Sequence, residues 1–185
     1  MKIPKQAKKV FTGEIFDIYQ WPQKMFDGST ATFEMIKRPD TVQIIATQDD
    51  KIFFTKEFQP NQKRDYGLIG GRVDKGEKPL AAAKRELLEE SGMVSKKWTL
   101  LKTYQPVHKM DWTIYYYIAQ DCKIVAKQNL DAGEKITIHK NNLEQFIKNI
   151  VGLPSWNNQF VYDILKMQVK GKSELEKFKK MLFGK

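Results

Sequence analysis

Glu86, Glu89 and Glu90 are the side chains of this chain whose types and spacing best suit chemistry. On a helix, positions i, i+3 and i+4 share one side, so the three carboxylates are neighbours. Left alone they repel one another and destabilise the helix. A divalent cation relieves that repulsion, and an all-oxygen ligand set suits Mg²⁺ or Mn²⁺. Mg²⁺ usually keeps water and takes up substrate phosphates beside one or two protein carboxylates, so such a site is built to receive a phosphorylated ligand. An acidic pair is more often just a solvated helix face. Here the preceding loop shifts the balance, because Gly67, Gly70, Gly71 and Gly76 free the backbone to approach a ligand or metal closely. Arg85 stands one turn before Glu89 and can brace it.

The helix that must carry these groups is marked at both ends. Pro79 suits its first turn and Gly92 the position just past its end. Projection at the helical period places Leu80, Ala81, Leu87 and Leu88 on one side, the expected core stripe. The three glutamates fall opposite, with Ala82 and Ala83 on the acidic side one turn earlier, leaving room above the carboxylates. Lys84, near the apolar stripe, must send its ammonium outward.

The segment Gly71 to Met93, GRVDKGEKPLAAAKRELLEESGM, resembles the Nudix box. That pattern is a glycine, five residues, a glutamate, seven residues, then Arg-Glu-aliphatic-x-Glu-Glu-x-Gly-aliphatic, and Gly71, Glu77, Arg85, Glu86, Leu87, Glu89, Glu90, Gly92 and Met93 meet every position. The resemblance implies an α/β fold, an α/β/α sandwich with a mixed sheet, N-terminal antiparallel strands and C-terminal helices. It implies hydrolysis within the diphosphate of a nucleoside diphosphate linked to another moiety, with Mg²⁺, or Mn²⁺, as cofactor. By position in the box, Glu86, Glu90 and then Glu89 are the implied metal ligands, with the Gly71 carbonyl as a further one. Glu77 is expected to pair with Arg85 and hold the loop. Arg85 and Glu89 count among the implied catalytic residues, and Glu134, in NLDAGEKITIH, is the implied base or extra ligand, with Asp131 as fallback. As a plain turn residue of Asp-Ala-Gly-Glu, Glu134 would need no such role. His108 and His139 read as incidental.

Beyond the box, VFTGEIFDIYQ, TATFEMIKRPDTVQIIA, KIFFTKEFQP and LDAGEKITIH resemble the ADP-ribose and nucleoside diphosphate sugar pyrophosphatases, and together with the box the similarity covers residues 10–150. Two departures bear on the substrate. Members of that branch often carry arginine where this chain has Gln59, and Leu-Pro-Ala-Gly where it has Leu68-Ile69-Gly70-Gly71. Lys56, Lys63, Arg64 and Arg72 are candidates to restore the positive charge, and Arg38 for a phosphate or sugar contact. The candidate base platforms are Trp21, Tyr19, Phe26 and Trp112, with Trp21 favoured, although strand aromatics mostly pack in cores. The implied partner is a small nucleoside diphosphate sugar of the ADP-ribose or GDP-mannose type, acted on by a homodimer joined through its N-terminal strands. Cleavage of a nucleoside triphosphate or a 5′-capped RNA end is the alternative enzyme reading. A nucleotide sensor is the non-catalytic one, and it is disfavoured because every box carboxylate is retained.

Around the box, alternation marks strands over 10–20 and 30–37 about a turn at Asp27-Gly28, a hairpin of 41–47 and 51–58 across Asp49-Asp50, and strands over 97–105, 112–119 and 134–139. Helices are expected over 143–151, over 155–168 with Ser155 as cap and Trp156, Phe160, Ile164 and Met167 on one face, and over 173–182. One domain over 1–185 is expected: a strand segment to about 38, a core over 39–152, and C-terminal helices with a basic tail over 153–185. The formal charge of +10, concentrated toward both ends, asks for a phosphate-bearing partner, and nucleic acid is the less favoured form of it. No apolar run approaches a membrane span and no signal peptide is expected. The single Cys122 excludes an internal disulfide and fits the cytoplasm.

Overall fold

The N-terminal segment folds as expected into antiparallel strands, β1 (Lys8–Thr12), β2 (Asp17–Lys24) and β3 (Thr30–Lys37). The expected first strand is divided where the Gly13 N–H turns back to the Phe16 carbonyl, 2.9 Å away. Gly28, at φ +87°, allows the β2–β3 turn, and the Asp27 carboxylate accepts the Ser29 N–H at 2.9 Å. These elements belong to a computed structural model that describes residues 2–60, 62–152 and 158–184.

The rest follows in chain order as β4 (Thr41–Gln48), β5 (Lys51–Gln59), β6 (Gln62–Gly67), α1 (Pro79–Ser91), β7 (Met93–Val94), β8 (Lys97–Tyr104), β9 (Met110–Asp111), β10 (Ile114–Gln120), β11 (Lys123–Ile124), β12 (Lys135–Asn141), α2 (Leu143–Gly152), α3 (Asn158–Lys170) and α4 (Lys172–Phe183). The central sheet runs β12-β5-β4-β10-β8, with β6 also paired to β5. It is mixed, since β4 and β10 are parallel and their other neighbours antiparallel. The short β9 extends the N-terminal sheet alongside β3.

Alternation along the strands builds two cores. Val42, Ile44 and Ala46 of β4 point to the α1 side, where Ala82, Ala83 and Leu87 meet them with Phe53, Ile69 and Tyr117. Ile45, with Ile52, Tyr116 and Ile118, faces α2, α3 and α4 through Phe146, Phe160, Ile164, Phe178 and Leu182. Tyr116 and Phe160 stack there with ring centroids 4.9 Å apart. The result is the helix–sheet–helix arrangement expected for the fold class. No helix of the described residues is long and apolar enough to cross a membrane.

Two further points differ from expectation. Helix α1 buries Ala82, Ala83, Leu87 and Glu90, whereas Leu88 and Ala81 are exposed. The alanines therefore do not leave room above the carboxylates; they let the helix lie flush on the sheet, tilting its acidic flank inward. Strand β6 is an addition, since the sequence alone does not mark it. Phe160 and Ile164 of α3 are buried as expected, whereas Ser155 and Trp156 lie outside the described residues.

Candidate active site

Local backbone chemistry fixes both ends of α1. Pro79 opens it after the extended Lys78, and Gly92, at φ +67°, closes it with its N–H on the Leu88 carbonyl at 2.8 Å. The chain of residues 126–127 crosses so closely that a Cβ on Gly92 would stand 2.1 Å from the Ala126 oxygen. The preceding loop is held to β4, since the Ile69 and Gly71 carbonyls accept the N–H groups of Ile44 and Val42 at 2.8 and 2.9 Å. Gly70, between them, faces the other way and donates its N–H to Glu90 Oε2 at 3.0 Å. Its φ of +155° and the Val42 oxygen, 2.1 Å from where a Cβ would sit, explain why glycine stands there. Gly71 rests against Glu86, whose Oε1 would lie 2.2 Å from an added Cβ. The backbone group that reaches the carboxylates is thus that of Gly70, while the Gly71 carbonyl is already engaged with β4.

Arg85 ties loop and helix together. It donates to Glu77 Oε1 and Oε2 at 3.2 and 3.0 Å, to Glu86 Oε1 at 2.9 Å, to Glu89 Oε2 at 3.0 Å and to the Arg72 carbonyl at 2.9 Å. Glu77 Oε2 also accepts the Asp74 N–H at 3.1 Å, which closes the loop on itself. The geometry contains the bracing of Glu89 that helical spacing suggested and the Glu77–Arg85 pair that the resemblance implied.

Burial dominates the electrostatics. Glu90 is 7 % exposed, and desolvation, with the charges of Glu57, Glu86 and Glu134, pushes its carboxyl up to about 9 against the opposing Gly70 N–H. Burial likewise raises Glu86, although Arg85 opposes it. Among the described residues no three carboxylates converge on one point, because Arg85 stands between Glu86 and Glu89. The donors nevertheless fit a hard divalent cation: three adjacent carboxylates, two of them poorly hydrated, beside a glycine backbone with no side chain in the way.

These groups line a cleft of about 1680 Å³. Glu134 lines the same cleft and accepts a hydrogen bond from Gln59 at 3.3 Å. Burial first, then the charges of Asp131 and Glu57, raise its carboxyl above the usual range. Arg38 and Arg72 also line the cleft, and the Arg38 guanidinium lies 4.2 Å from the centre of the Trp112 ring. Burial, then the like charge of Arg72, lowers the affinity of Arg38 for its proton, and Arg38 Nε has no hydrogen-bond partner among the described residues.

The cleft thus gathers Glu86, Glu89, Glu90, Gly71, Arg85, Glu134, Asp131, Arg38, Arg72, Trp112 and His108. It does not gather Trp21, which is buried in the N-terminal sheet against Phe33 with its indole N–H on Gln23. Lys56 is also absent from the cleft wall, since its neighbour Glu57 takes the cleft side of β5. His139 stacks on Phe54. Glu57 is a cleft residue that sequence reasoning missed. Its signal lies in KIFFTKEF, where Phe53, Thr55 and Glu57 share the buried face of a strand, so an acid ends an inward-facing row.

A profile of the NUDIX domain matches residues 37–148. The ADP-ribose pyrophosphatase of Bacillus subtilis is 26 % identical over 174 residues, covering 92 % of this chain and 94 % of that protein. The methanol dehydrogenase activator of Bacillus methanolicus is 26 % identical over 152 residues, covering 78 % and 80 %. The crystal structure of an ADP compounds hydrolase superposes with a TM-score of 0.71 at 21 % identity, over 90 % of this chain and 92 % of the other. With the profile spanning the larger part of the chain, and the box helix, its glycine loop and the sandwich all in place, the chain belongs to the NUDIX family, as a Nudix hydrolase.

Proposed function

We propose that the chain hydrolyses the diphosphate linkage of a nucleoside diphosphate sugar of the ADP-ribose or GDP-mannose type, releasing a nucleoside monophosphate and a sugar phosphate. The observation that carries this reading is one cleft lined both by Glu86, Glu89 and Glu90 and by Arg38 and Arg72. It offers oxygen ligands for a cation at one place and charge for phosphates at another. The name of the 26 % identical B. subtilis protein supports the ADP-ribose side of the choice.

Glu86, Glu89, Glu90 and the Gly71 carbonyl, through the lone pair its bond to Val42 leaves, would hold Mg²⁺, with Mn²⁺ as substitute. Bound there, a divalent cation neutralises diphosphate charge and makes its water more acidic. Glu134 takes the proton of the attacking water, a task helped by a raised carboxyl. Water oxygen bonds to one phosphorus, the bond from that phosphorus to the bridging oxygen breaks, and that oxygen leaves on the other phosphate. Arg85 orients Glu86 and Glu89, and Glu77 keeps Arg85 in place. Arg38 and Arg72 hold the nucleotide's phosphate and sugar, and Trp112 beneath Arg38 offers an aromatic face. The exposed apolar edge of β1, with Val10 and Phe11, supports a homodimer formed through the N-terminal strands.

The test is hydrolysis with Mg²⁺ of ADP-ribose, GDP-mannose, other nucleotide sugars, dinucleoside polyphosphates and nucleoside triphosphates, with a phosphatase added to reveal monophosphates. One diphosphate sugar should dominate, and Glu90→Gln should abolish its turnover while remaining folded. A Glu90→Gln variant with near-normal rate would sink the metal site. A preference for triphosphates would discard the sugar assignment.

A further inference from the structure

Beside the box, β5 and β6 build a second charged arrangement. Thr55 lies opposite Gly67 and Glu57 opposite Arg64 in the antiparallel register, with an irregularity between the two pairs. Three side chains crowd the space above Gly67: a Cβ there would stand 2.7 Å from Thr55 Oγ1, 2.9 Å from Glu57 Oε1 and 3.1 Å from Arg64 Cδ. Both Glu57 oxygens are engaged, Oε1 by the Thr55 hydroxyl at 2.7 Å and Oε2 by Arg64 Nη1 at 2.9 Å. A buried carboxylate with both oxygens taken acts as a brace, and what it braces is a guanidinium whose side chain is 42 % exposed and lines the cleft.

Arg38 and Arg72 also line the cleft, whereas Arg85, Lys63 and Lys56 are committed elsewhere or lie off it. Gln59, at the position where related chains often carry arginine, donates to Glu134. Arg85 is saturated by carboxylates, Lys63 pairs with Asp65 at 2.9 Å, and Lys56 is not on the cleft wall. Arg64 is close enough for its charge to act on Glu134, and Glu57 close enough to act on Glu90. A guanidinium carries several N–H donors, so Glu57 can fix its plane and leave donors for an anion.

We propose that Arg64, held by Glu57 in the space that Gly67 leaves open, binds phosphate oxygens of the diphosphate ligand, with Glu57 as its positioning residue. This rests on the reading of the cleft as a diphosphate site. It places the charge absent at Gln59 on the neighbouring strand, and it makes Gly67 a determinant of that placement.

The test is calorimetric binding of the uncleavable adenosine 5′-(α,β-methylene)diphosphate with Mg²⁺, beside turnover of ADP-ribose. Arg64→Ala should weaken binding by about 10-fold or more, the scale of a charge-assisted contact. Arg64→Lys should restore only part, for want of the planar fork. Glu57→Gln should weaken binding in the wild-type background and add nothing to Arg64→Ala. Gly67→Ala changes no charge but must push Glu57 and Arg64 aside, so it should weaken binding as well. KM for ADP-ribose should rise in the Arg64 and Gly67 variants while kcat holds, and melting temperatures should stay within a few degrees, a pattern that a merely structural role would not give. Glu57→Gln also removes a charge that acts on Glu134 and Glu90 and is read by binding alone. Wild-type affinity in Arg64→Ala, or no binding by the wild type, overturns the proposal. If ADP-ribose is not cleaved yet the analogue binds in an Arg64-dependent way, the substrate reading falls and the Arg64 site stands. If ADP-ribose is cleaved with unchanged KM in Arg64→Ala, the substrate reading stands and the Arg64 site falls.

Discussion

Replacing Arg85 by alanine removes the group that joins the box loop to the box helix, and its cost can be worked from the contacts. Arg85 hydrogen-bonds three carboxylates of different exposure, Glu86 at 13 %, Glu77 at 18 % and Glu89 at 38 %, and pairs more loosely at 3.8 Å with the exposed Asp74. Without Arg85, Glu89 regains water and contributes almost nothing. Glu77 and Glu86 do not, and each loses a charge-assisted bond whose net worth is about 1.5 kcal/mol at the low end. The Arg72 carbonyl loses its donor too, but Arg72 is exposed and water replaces it. Arg85→Ala should therefore cost about 3 kcal/mol in EDTA, within the range for breaking a buried pair. For a chain of this size that lowers the melting temperature by roughly 6–12 °C. Arg85→Lys can satisfy one carboxylate at a time and should recover about half of the loss. Urea denaturation of the three proteins in EDTA measures it. A loss below about 0.5 kcal/mol for alanine, or lysine equal to wild type, would refute the view that the fork holds loop and helix together.

Gly92→Ala should destabilise the fold by about 2–4 kcal/mol in urea denaturation, because it adds a left-handed alanine and a contact with the Ala126 carbonyl that no side-chain rotation relieves. Cys122 is buried, and desolvation pushes its thiol up to about 11. Since the unfolded chain gives up this proton first, stability should fall as pH rises from about 9 toward 11, and iodoacetamide at pH 8 should label the unfolded chain but not the native one. Trp112→Ala takes away the face under Arg38 and should raise KM for the preferred substrate by roughly 3- to 10-fold while kcat changes little, measured by steady-state kinetics.

The parts of this molecule that could be read from its sequence are those decided by neighbours in the chain. Pro79 and Gly92 bound α1 because each fits a backbone position that disfavours most other residues, and the Asp49–Asp50 hairpin follows from alternation interrupted by turn formers. Glu77, Arg85 and Glu89 meet because helical spacing and a short loop leave them little choice. What escaped the sequence depends on register and on which face wins. Projection makes Leu88 a core residue and Glu90 a surface one, since polarity is the only criterion it has. The sheet reverses that order, because Ala82 and Ala83 allow a closer approach than leucines would and the Gly70 N–H gives Glu90 a partner at depth. β6 escaped because QKRDYG has no apolar alternation, so the meeting of Arg64 with Glu57 and of Gly67 with Thr55 had no local signal.

The same contrast explains how the cleft is organised. A helix that buried only its apolar stripe would hold its carboxylates in water, where they would be hydrated and weakly coupled. By burying Glu90 and much of Glu86, the fold keeps them close to Glu134 and Glu57 in a poorly hydrated place, at a cost in electrostatic strain that Arg85 offsets only for Glu86 and Glu89. Among the described residues, Glu90 has the Gly70 N–H and no paired cation. The proton that burial keeps on that one carboxyl is what a bound cation would displace, so the departure of α1 from ordinary amphipathic burial and the proposed chemistry of the site have a common cause.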